Sequence, residues 1–158
     1  MFKLFVDLDG VLADFDRGVQ DLTGRPPDQL HPKRMWAAIA RADGFYENLR
    51  WMEDGKVLWN AVRSNEPTIL TGLPMGSWAE PQKRAWCARE LGPDIPVITC
   101  MSRHKAARAA EHTPENAVMV LVDDREKLRE SWEAAGGVFI LHTDADSSIA
   151  ALTEAGVL

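Results

Sequence analysis

The sequence predicts an α/β fold: a doubly wound, Rossmann-like, mostly parallel sheet of about five strands, with a small helical cap inserted after strand one. Two observations predict it. From residue 67 onwards, short apolar runs alternate with helical patterns, which is the order of βαβ units in a parallel sheet. Before that, residues 11–66 separate the first two apolar runs, and a single crossover helix does not need so much chain.

Five apolar runs predict the strands. The first contains Phe and Val residues and is closed by Asp-Gly, and the second is followed by Thr-Gly at residues 71–72. Because right-handed crossovers place helices on both faces of a parallel sheet, these runs favour a doubly wound core. The predicted strands are Lys3–Leu8, Pro67–Leu70, Pro96–Cys100, Ala117–Val122 and Val138–Leu141.

Helical patterns fill the connections, and Gly or Pro residues mark where several of them end. Gly92-Pro93 stops the pattern that begins at Ala79, and Gly136-Gly137 stops the pattern that begins at Glu126. The predicted helices after strand two are Ala79–Leu91, Arg103–Glu111, Glu126–Ala135 and Ser147–Glu154.

Residues 13–65 are predicted to form the small helical cap, inserted in a single domain that spans residues 1–158. Residues 24–27 (Gly-Arg-Pro-Pro) and Gly44 divide this segment into helical pieces. We expect it to stand over the C-terminal edge of the sheet. The helical pieces are Leu12–Leu22, Lys33–Ala42 and Gly55–Ser64.

Length, composition and charge restrict the class of protein. The 158 residues suit one domain, and 46% hydrophobic with 27% charged residues is typical of a globular chain. The net charge of −6 argues against non-specific binding to a nucleic-acid polymer, which depends on positive charge. No apolar run approaches the roughly 20 residues of a membrane helix, and the acidic N-terminal stretch does not suit a signal peptide. We therefore expect a cytoplasmic protein with neither a membrane nor a nucleic-acid polymer as partner.

Chemically active side chains follow four of the predicted strands. They are Asp7 and Asp9, then Thr71, then Lys105, and finally Asp123 with Asp124. Ligands of open α/β sheets bind beyond the carboxyl ends of the strands, so one crevice should collect all of these groups. Four carboxylates in one place repel one another, and a hard divalent cation such as Mg²⁺ relieves that repulsion. The sequence therefore predicts a site for Mg²⁺ and a small phosphorylated substrate.

The spacing of the first acid pair favours phosphoryl transfer. Residues i and i+2 of an extended segment project to the same side, so Asp7 and Asp9 can address one substrate atom. Asp7 would attack phosphorus, and Asp9 would protonate the leaving oxygen and then deprotonate water. Mg²⁺ and Lys105 would neutralise the phosphoryl oxygens, and Thr71 would bind another oxygen. The metal would be held by Asp7, Asp9, Asp123 and Asp124, with one of the last two acting through water.

At these residues the sequence resembles the haloacid dehalogenase (HAD) superfamily. The matching segments are DLDGVLADF at 7–15, ILTG at 69–72, Lys105, and LVDDR at 121–125, which correspond to its four motifs in order. The resemblance implies a Rossmann-like fold and Mg²⁺-dependent phosphatase chemistry. It implies Asp7 as nucleophile, Asp9 as acid and base, and the backbone carbonyl of Asp9 as a metal ligand. Dehalogenases of the family lack the second aspartate, so Asp9 favours phosphate chemistry.

A narrower likeness is to the 5′(3′)-deoxyribonucleotidase group. It rests on GFYENLRWMEDG at 44–55, on the helix of Trp86 followed by LGPD at 91–94, and on VDDR at 122–125. Such enzymes remove phosphate from nucleoside monophosphates and place the base against aromatic cap residues. The residues expected to contact substrate are Phe45, Tyr46, Trp51 and Gly72. The chain departs from the group at His104, where the group has an acid, and in the loop GLPMGSW at 72–78.

Two alternatives stay open on the sequence. One is a HAD-type phosphatase or phosphotransferase for another small phosphorylated metabolite. The other is a receiver-like phospho-acceptor module, which also combines Asp, Thr, Lys and Mg²⁺ but places its adjacent acid pair after the first strand. Arg125, which follows the second acid pair, is expected to form a local salt bridge.

Overall fold

A computed structural model describes all residues, 1–158, and contains one sheet of five parallel strands. The strands are β1 (Phe2–Val6), β2 (Thr68–Gly72), β3 (Val97–Cys100), β4 (Val118–Asp123) and β5 (Val138–Leu141). Their order in the sheet is β3-β2-β1-β4-β5. The predicted α/β class and strand number are confirmed, and each strand lies within two residues of its predicted bounds.

The order of the strands in the sheet tests the receiver-like alternative. Receiver domains have the order 2-1-3-4-5, in which the second strand lies at the edge. Here β3 lies at the edge and β2 pairs with β1. The receiver-like alternative is therefore wrong.

The sheet changes direction of winding between β1 and β4, which is where a doubly wound sheet opens its crevice. These two strands pair in parallel with Val6 opposite Val122. The backbone N–H of Asp7 donates to the carbonyl of Val122 at 2.9 Å. This register brings Asp7 beside Asp123, although they are far apart in the chain.

Seven helices complete the fold. They are α1 (Phe15–Thr23), α2 (Pro32–Arg41), α3 (Gly55–Val62), α4 (Ala79–Glu90), α5 (Lys105–Glu111), α6 (Arg129–Ala134) and α7 (Ala145–Glu154). The predicted helices Arg103–Glu111 and Glu126–Ala135 both begin as 3₁₀ turns, at residues 102–104 and 126–128. No helix of the structure combines the length and the apolar character that crossing a membrane requires.

The two faces of β1 belong to different parts of the core. Phe5 points into the smaller cluster, under α5 and α6, whereas Leu4 and Val6 point into the larger one. Val19 of α1 and Ile39 of α2 belong to that larger cluster too, and all these side chains are buried. The segment between β1 and β2 thus shares its hydrophobic core with the sheet.

The turn after β1 delays the first helix. The backbone N–H groups of Leu12 and Ala13 both donate to the carbonyl of Leu8 at 2.9 Å, so the chain curls tightly before it becomes helical. Asp14 then caps α1, because its Oδ1 accepts from the N–H of Arg17 at 3.1 Å. The helix predicted to begin at Leu12 therefore begins three residues later, and the tight turn carries Asp9 at the edge of the sheet.

Candidate active site

One cleft lies at the carboxyl ends of β1 and β4, with a volume of about 410 Å³. That size suits a small molecule. Four of the residues that the sequence singled out for catalysis, phosphate binding or metal binding line it: Asp7, Asp9, Lys105 and Asp124.

Lys105 joins the two acid pairs at the floor of the cleft. Its Nζ donates to Asp7 Oδ1 at 2.9 Å and to Asp123 Oδ2 at 2.7 Å. All three residues are buried: Asp7 directly follows β1, Asp123 ends β4, and Lys105 begins α5. Burial opposes the charge of Lys105, but the carboxylates of Asp7 and Asp123 outweigh it and raise the pKa of the lysine. The ammonium therefore stays charged and compensates two buried acids.

The second acid pair is poised to titrate near neutrality. Burial, with the charge of Asp7, raises the pKa of Asp123 to about 6 against the opposing effect of Lys105. Desolvation in the cleft, with the charges of Asp7 and Asp123, raises the pKa of Asp124 to about 7. A bound cation would favour the ionised form of both carboxylates and so lower these raised pKa values.

Three carboxylates converge as a cation site requires. Asp7, Asp123 and Asp124 each offer one oxygen, and these oxygens lie within 4.8 Å of one another. Gly10 makes the approach of Asp124 possible: it has a φ of +80°, and a Cβ there would overlap Asp124 Oδ2. An all-oxygen donor set of this kind fits Mg²⁺. The residues present therefore fit the cofactor that the sequence predicts.

Asp9 is held by a lysine that the sequence analysis missed. Lys83 of α4 is 1% exposed, and its Nζ donates to Asp9 Oδ2 at 2.7 Å, to Thr71 Oγ1 at 3.0 Å and to the carbonyl of Gly72 at 2.6 Å. Burial raises the pKa of Asp9; the charge of Lys83 opposes this rise, and that of Asp7 adds to it. The other oxygen of Asp9, Oδ1, is buried without a hydrogen-bond partner.

A sequence signal for Lys83 does exist. Ala79, Lys83, Trp86 and Cys87 are the buried residues of α4, and they follow the spacing of one helix face. A lysine at a core-facing position needs a buried partner, because an unpaired ammonium is costly to desolvate.

Thr71, whose hydroxyl the sequence predicts to bind phosphate, is not among the residues that line the cleft. Its side chain is fully buried, and Oγ1 accepts the hydrogen bond from Lys83. Thr71 therefore positions Lys83. Gly72 does line the cleft, and the hydroxyl beside it belongs to Ser102: a Cβ at Gly72 would overlap Ser102 Oγ.

The aromatic residues are arranged differently from the expectation. Tyr46 lines the cleft, with Lys83 Nζ 4.5 Å from its ring centroid. Phe45 and Trp51 do not. Phe45 is buried in the larger core, and Trp51 packs 5.2 Å from Trp86 while its Nε1 donates to Glu90 at 3.0 Å.

Two other aromatic residues take the places expected of Phe45 and Trp51. Phe15 and Trp36 line the cleft beside Tyr46, and their ring centroids are 5.9 Å apart. Phe15 lies inside the motif at 7–15, whereas Trp36 lies on α2, and 39% of its surface is exposed.

Arg125 also departs from the expectation, because it forms no salt bridge. Arg125 lines the cleft, and its Nη1 donates to Ser102 Oγ at 3.0 Å. Its backbone N–H donates to Asp123 Oδ1 at 2.9 Å.

Comparison with known proteins gives matches at the level of structure. No protein-family model matches the chain, and no curated protein matches it. Among solved structures, a hydrolase from Streptococcus pneumoniae TIGR4 superposes with a TM-score of 0.55 at 13% identity, over 96% of this chain and 97% of that one. The chain shares the fold of that hydrolase. A HAD hydrolase of family IA, variant 3, from Entamoeba histolytica HM-1:IMSS gives a TM-score of 0.48 at 10% identity, over 90% of this chain and 84% of that one.

Proposed function

We propose that this protein is a Mg²⁺-dependent phosphomonoesterase of the HAD type that forms an aspartyl-phosphate on Asp7. One observation carries the proposal: Lys105 bridges Asp7 and Asp123 at the floor of a cleft, beside the three converging carboxylates. The order of Asp7, Asp9, Lys105 and the second acid pair is that of the HAD motifs. The fold shared with the pneumococcal hydrolase supports the same conclusion.

The cation would be held by Asp7, Asp123 and Asp124, with the carbonyl of Asp9 as the further ligand that the HAD resemblance implies. When bound, it supplies positive charge to the phosphoryl oxygens. Lys105 contributes a second positive charge from the protein itself, and because it is buried and paired it needs no reorganisation.

Asp7 and Asp9 divide the chemistry between them. In the first step a carboxylate oxygen of Asp7 bonds to phosphorus, the bond from phosphorus to the ester oxygen breaks, and Asp9 gives its proton to that oxygen. In the second step Asp9 takes a proton from water, the water oxygen bonds to phosphorus, and the bond to Asp7 breaks. The raised pKa of Asp9 suits the first step, because the acid must start protonated.

A finer proposal concerns the substrate. Residues 13–65 act as a cap beside the catalytic acids, and the aromatic wall of Phe15, Trp36 and Tyr46 receives the leaving group. Aromatic faces stack on nucleobases. We therefore propose nucleoside monophosphates, as in the 5′(3′)-deoxyribonucleotidase group, as the substrate class.

Hydrolysis of 4-nitrophenyl phosphate, with Mg²⁺ and with a chelator, tests the general proposal. We expect turnover that requires Mg²⁺ and is lost in Asp7→Asn, and a phosphorylated wild-type chain after acid quenching. Asp94→Asn removes the same charge from an exposed loop and serves as the matched control. Equal turnover by wild type and Asp7→Asn would overturn the assignment of the nucleophile.

A panel of 5′ and 3′ deoxynucleoside monophosphates, with glycerol phosphate as the small reference, tests the finer proposal. We expect higher kcat/KM for the nucleotides, and Trp36→Ala should raise KM for them more than for glycerol phosphate. Equal kcat/KM for nucleotides and glycerol phosphate would overturn the proposed substrate class without contradicting the proposed phosphatase chemistry.

A further inference from the structure

Arg125 differs from the other cations of the cleft. Three cationic residues line it, and two are already paired: Lys83 with Asp9, and Lys105 with Asp7 and Asp123. Arg125 pairs with no carboxylate. A guanidinium has five N–H donors, and the one side-chain hydrogen bond that Arg125 makes is with Ser102 Oγ. The cleft thus contains one cation with spare donors and uncompensated charge.

Burial separates Arg125 from the reacting centre. Asp7, Lys105 and Asp123 are all less than 5% exposed and form the floor, whereas Arg125 is exposed and Ser102 is half-buried. Arg125 therefore belongs to the rim, where a substrate presents the part that is remote from the phosphorus.

The rim elsewhere repels anions. Asp14 and Asp16, the chain neighbours of Phe15, line the cleft, and so does Asp124, which precedes Arg125 in the chain. These acids would repel a second negative charge on a substrate. Among the lining residues, only Arg125 offers an unpaired positive charge that would attract it.

We propose that Arg125, together with the Ser102 hydroxyl, forms a second anion-binding subsite, which favours a phosphomonoester with a further anionic group on its leaving side over the uncharged counterpart. This inference rests on the proposed phosphatase function. The planar fork of a guanidinium binds a carboxylate or a phosphate through two parallel hydrogen bonds, so either group would satisfy it. The hydrogen bond from the Arg125 backbone N–H to Asp123 Oδ1 fixes the position of the Arg125 backbone relative to the catalytic floor.

Matched pairs of aryl phosphates test the subsite. The 2-, 3- and 4-carboxyphenyl phosphates carry the second anion, and the corresponding carbamoylphenyl phosphates have nearly the same shape without the charge. We expect at least one carboxylate isomer to exceed its amide by about tenfold to a hundredfold in kcat/KM, the effect of one charge-assisted bidentate contact. Arg125→Gln should remove that advantage, whereas Arg125→Lys, which keeps the charge, should retain part of it. Phenylene-1,3-bisphosphate distinguishes a preference for phosphate from one for carboxylate.

Arg103→Gln is the matched control, because Arg103 is an exposed arginine two residues before Lys105 that does not line the cleft. It removes the same charge, so it reports any general electrostatic effect. If Arg103→Gln abolishes the carboxylate advantage as strongly as Arg125→Gln does, the subsite is overturned. It is overturned equally if Arg125→Gln lowers kcat/KM for carboxylate and amide substrates by the same factor, since Arg125 would then contact the transferred phosphoryl group.

Direct binding separates this inference from the proposed function. The dissociation constants of the same pairs are measured by calorimetry in Mg²⁺, on Asp7→Asn and on Asp7→Asn with Arg125→Gln. Tighter binding of a carboxylate isomer that depends on Arg125 supports the subsite, and equal binding of every pair overturns it. Absence of turnover in the wild type would instead overturn the proposed function.

Discussion

Lys83 and Asp9 form an ion pair between α4 and the loop after β1, with Nζ 2.7 Å from Oδ2. The lysine side chain is 1% exposed and that of the aspartate 24%, so the carboxylate faces the cleft while its counter-ion lies behind it. Removing one partner of such a buried pair leaves a charge without compensation. The orientation and the protonation of Asp9 therefore both depend on a helix outside its own motif.

Lys83→Met tests that dependence. We expect kcat to fall by about a hundredfold, the lower range for losing effective general acid–base catalysis, because Asp9 loses its orienting partner. The charge of Lys83 also holds the pKa of Asp9 down, so its removal should move the alkaline limb of the kcat/KM profile to higher pH. Turnover of 4-nitrophenyl phosphate from pH 5 to pH 9 measures both effects.

Lys127→Met is the control for this pair, since Lys127 is exposed and forms no side-chain hydrogen bond. It should leave the pH profile in place. A lower kcat for Lys83→Met with no movement of the alkaline limb would mean that Lys83 only supports packing.

The affinity for Mg²⁺ should depend on pH near neutrality. The pKa values of Asp123 and Asp124 are raised to about 6 and about 7 in the metal-free protein, and the cation requires both carboxylates ionised. Binding should therefore release protons at pH 6 and weaken steadily as the pH falls from 8 to 5. Calorimetric titration in buffers of different ionisation enthalpy measures the protons released. Asp124→Asn should flatten the dependence above pH 6, and an unchanged dependence in that variant would contradict the assignment.

Asp123 and Asp124 also make the stability of the metal-free protein depend on pH, in the direction opposite to the affinity for Mg²⁺. Their folded pKa values lie above the ordinary value of 3.8, so between about pH 4 and pH 7 the folded state binds more protons than the unfolded state. Their contribution to the free energy of unfolding is therefore present below pH 4 and is lost as the pH rises through 6 and 7. Saturating Mg²⁺ should reduce this loss, and urea unfolding at pH 5 and pH 7.5, with and without Mg²⁺, measures it.

The fold and the acidic part of the site could be predicted because both depend on strands. A run of buried residues identifies a strand, and parallel strands end at one edge of a sheet, so Asp7 and Asp123 had to meet there. The same reasoning gives no side-chain direction at a strand end. Thr71 turns into the core towards Lys83, where a hydroxyl open to the cleft was expected.

Residues that helices bring to the cleft were harder to predict. Trp36 and Lys83 reach it because α2 and α4 dock at particular angles, and docking depends on the whole core. The sequence is compatible with Trp51 either facing the cleft or packing in the core. In the structure Trp51 packs against Trp86 and donates a hydrogen bond to Glu90. An aromatic-rich segment alone does not tell which rings enter the core.

Lys105→Met should destabilise the metal-free protein more than the protein in Mg²⁺. Without the ammonium, the buried carboxylates of Asp7 and Asp123 lose their only positive neighbour within hydrogen-bond distance, a change that costs about 3–5 kcal/mol for a broken buried pair. A cation at the neighbouring oxygens would replace part of that charge. Thermal unfolding of wild type and Lys105→Met, with Mg²⁺ and with chelator, measures the difference. An equal loss of stability in both conditions would mean that the cation does not reach these carboxylates.

Gly10→Ala should impair metal binding beyond its effect on the backbone. Gly10 has a φ of +80°, where a non-glycine residue costs about 1–2 kcal/mol, and its Cβ would also displace the Asp124 carboxylate. Gly24→Ala is the matched control: Gly24 has the same φ of +80°, and a Cβ there meets nothing within 4 Å. Both variants should lose comparable stability in chelator, whereas Gly10→Ala alone should weaken Mg²⁺ binding, by about tenfold or more as for loss of a supporting group around a metal. Equal Mg²⁺ affinity in the two variants, measured by calorimetry, would show that Asp124 does not need its place beside Gly10 to hold the cation.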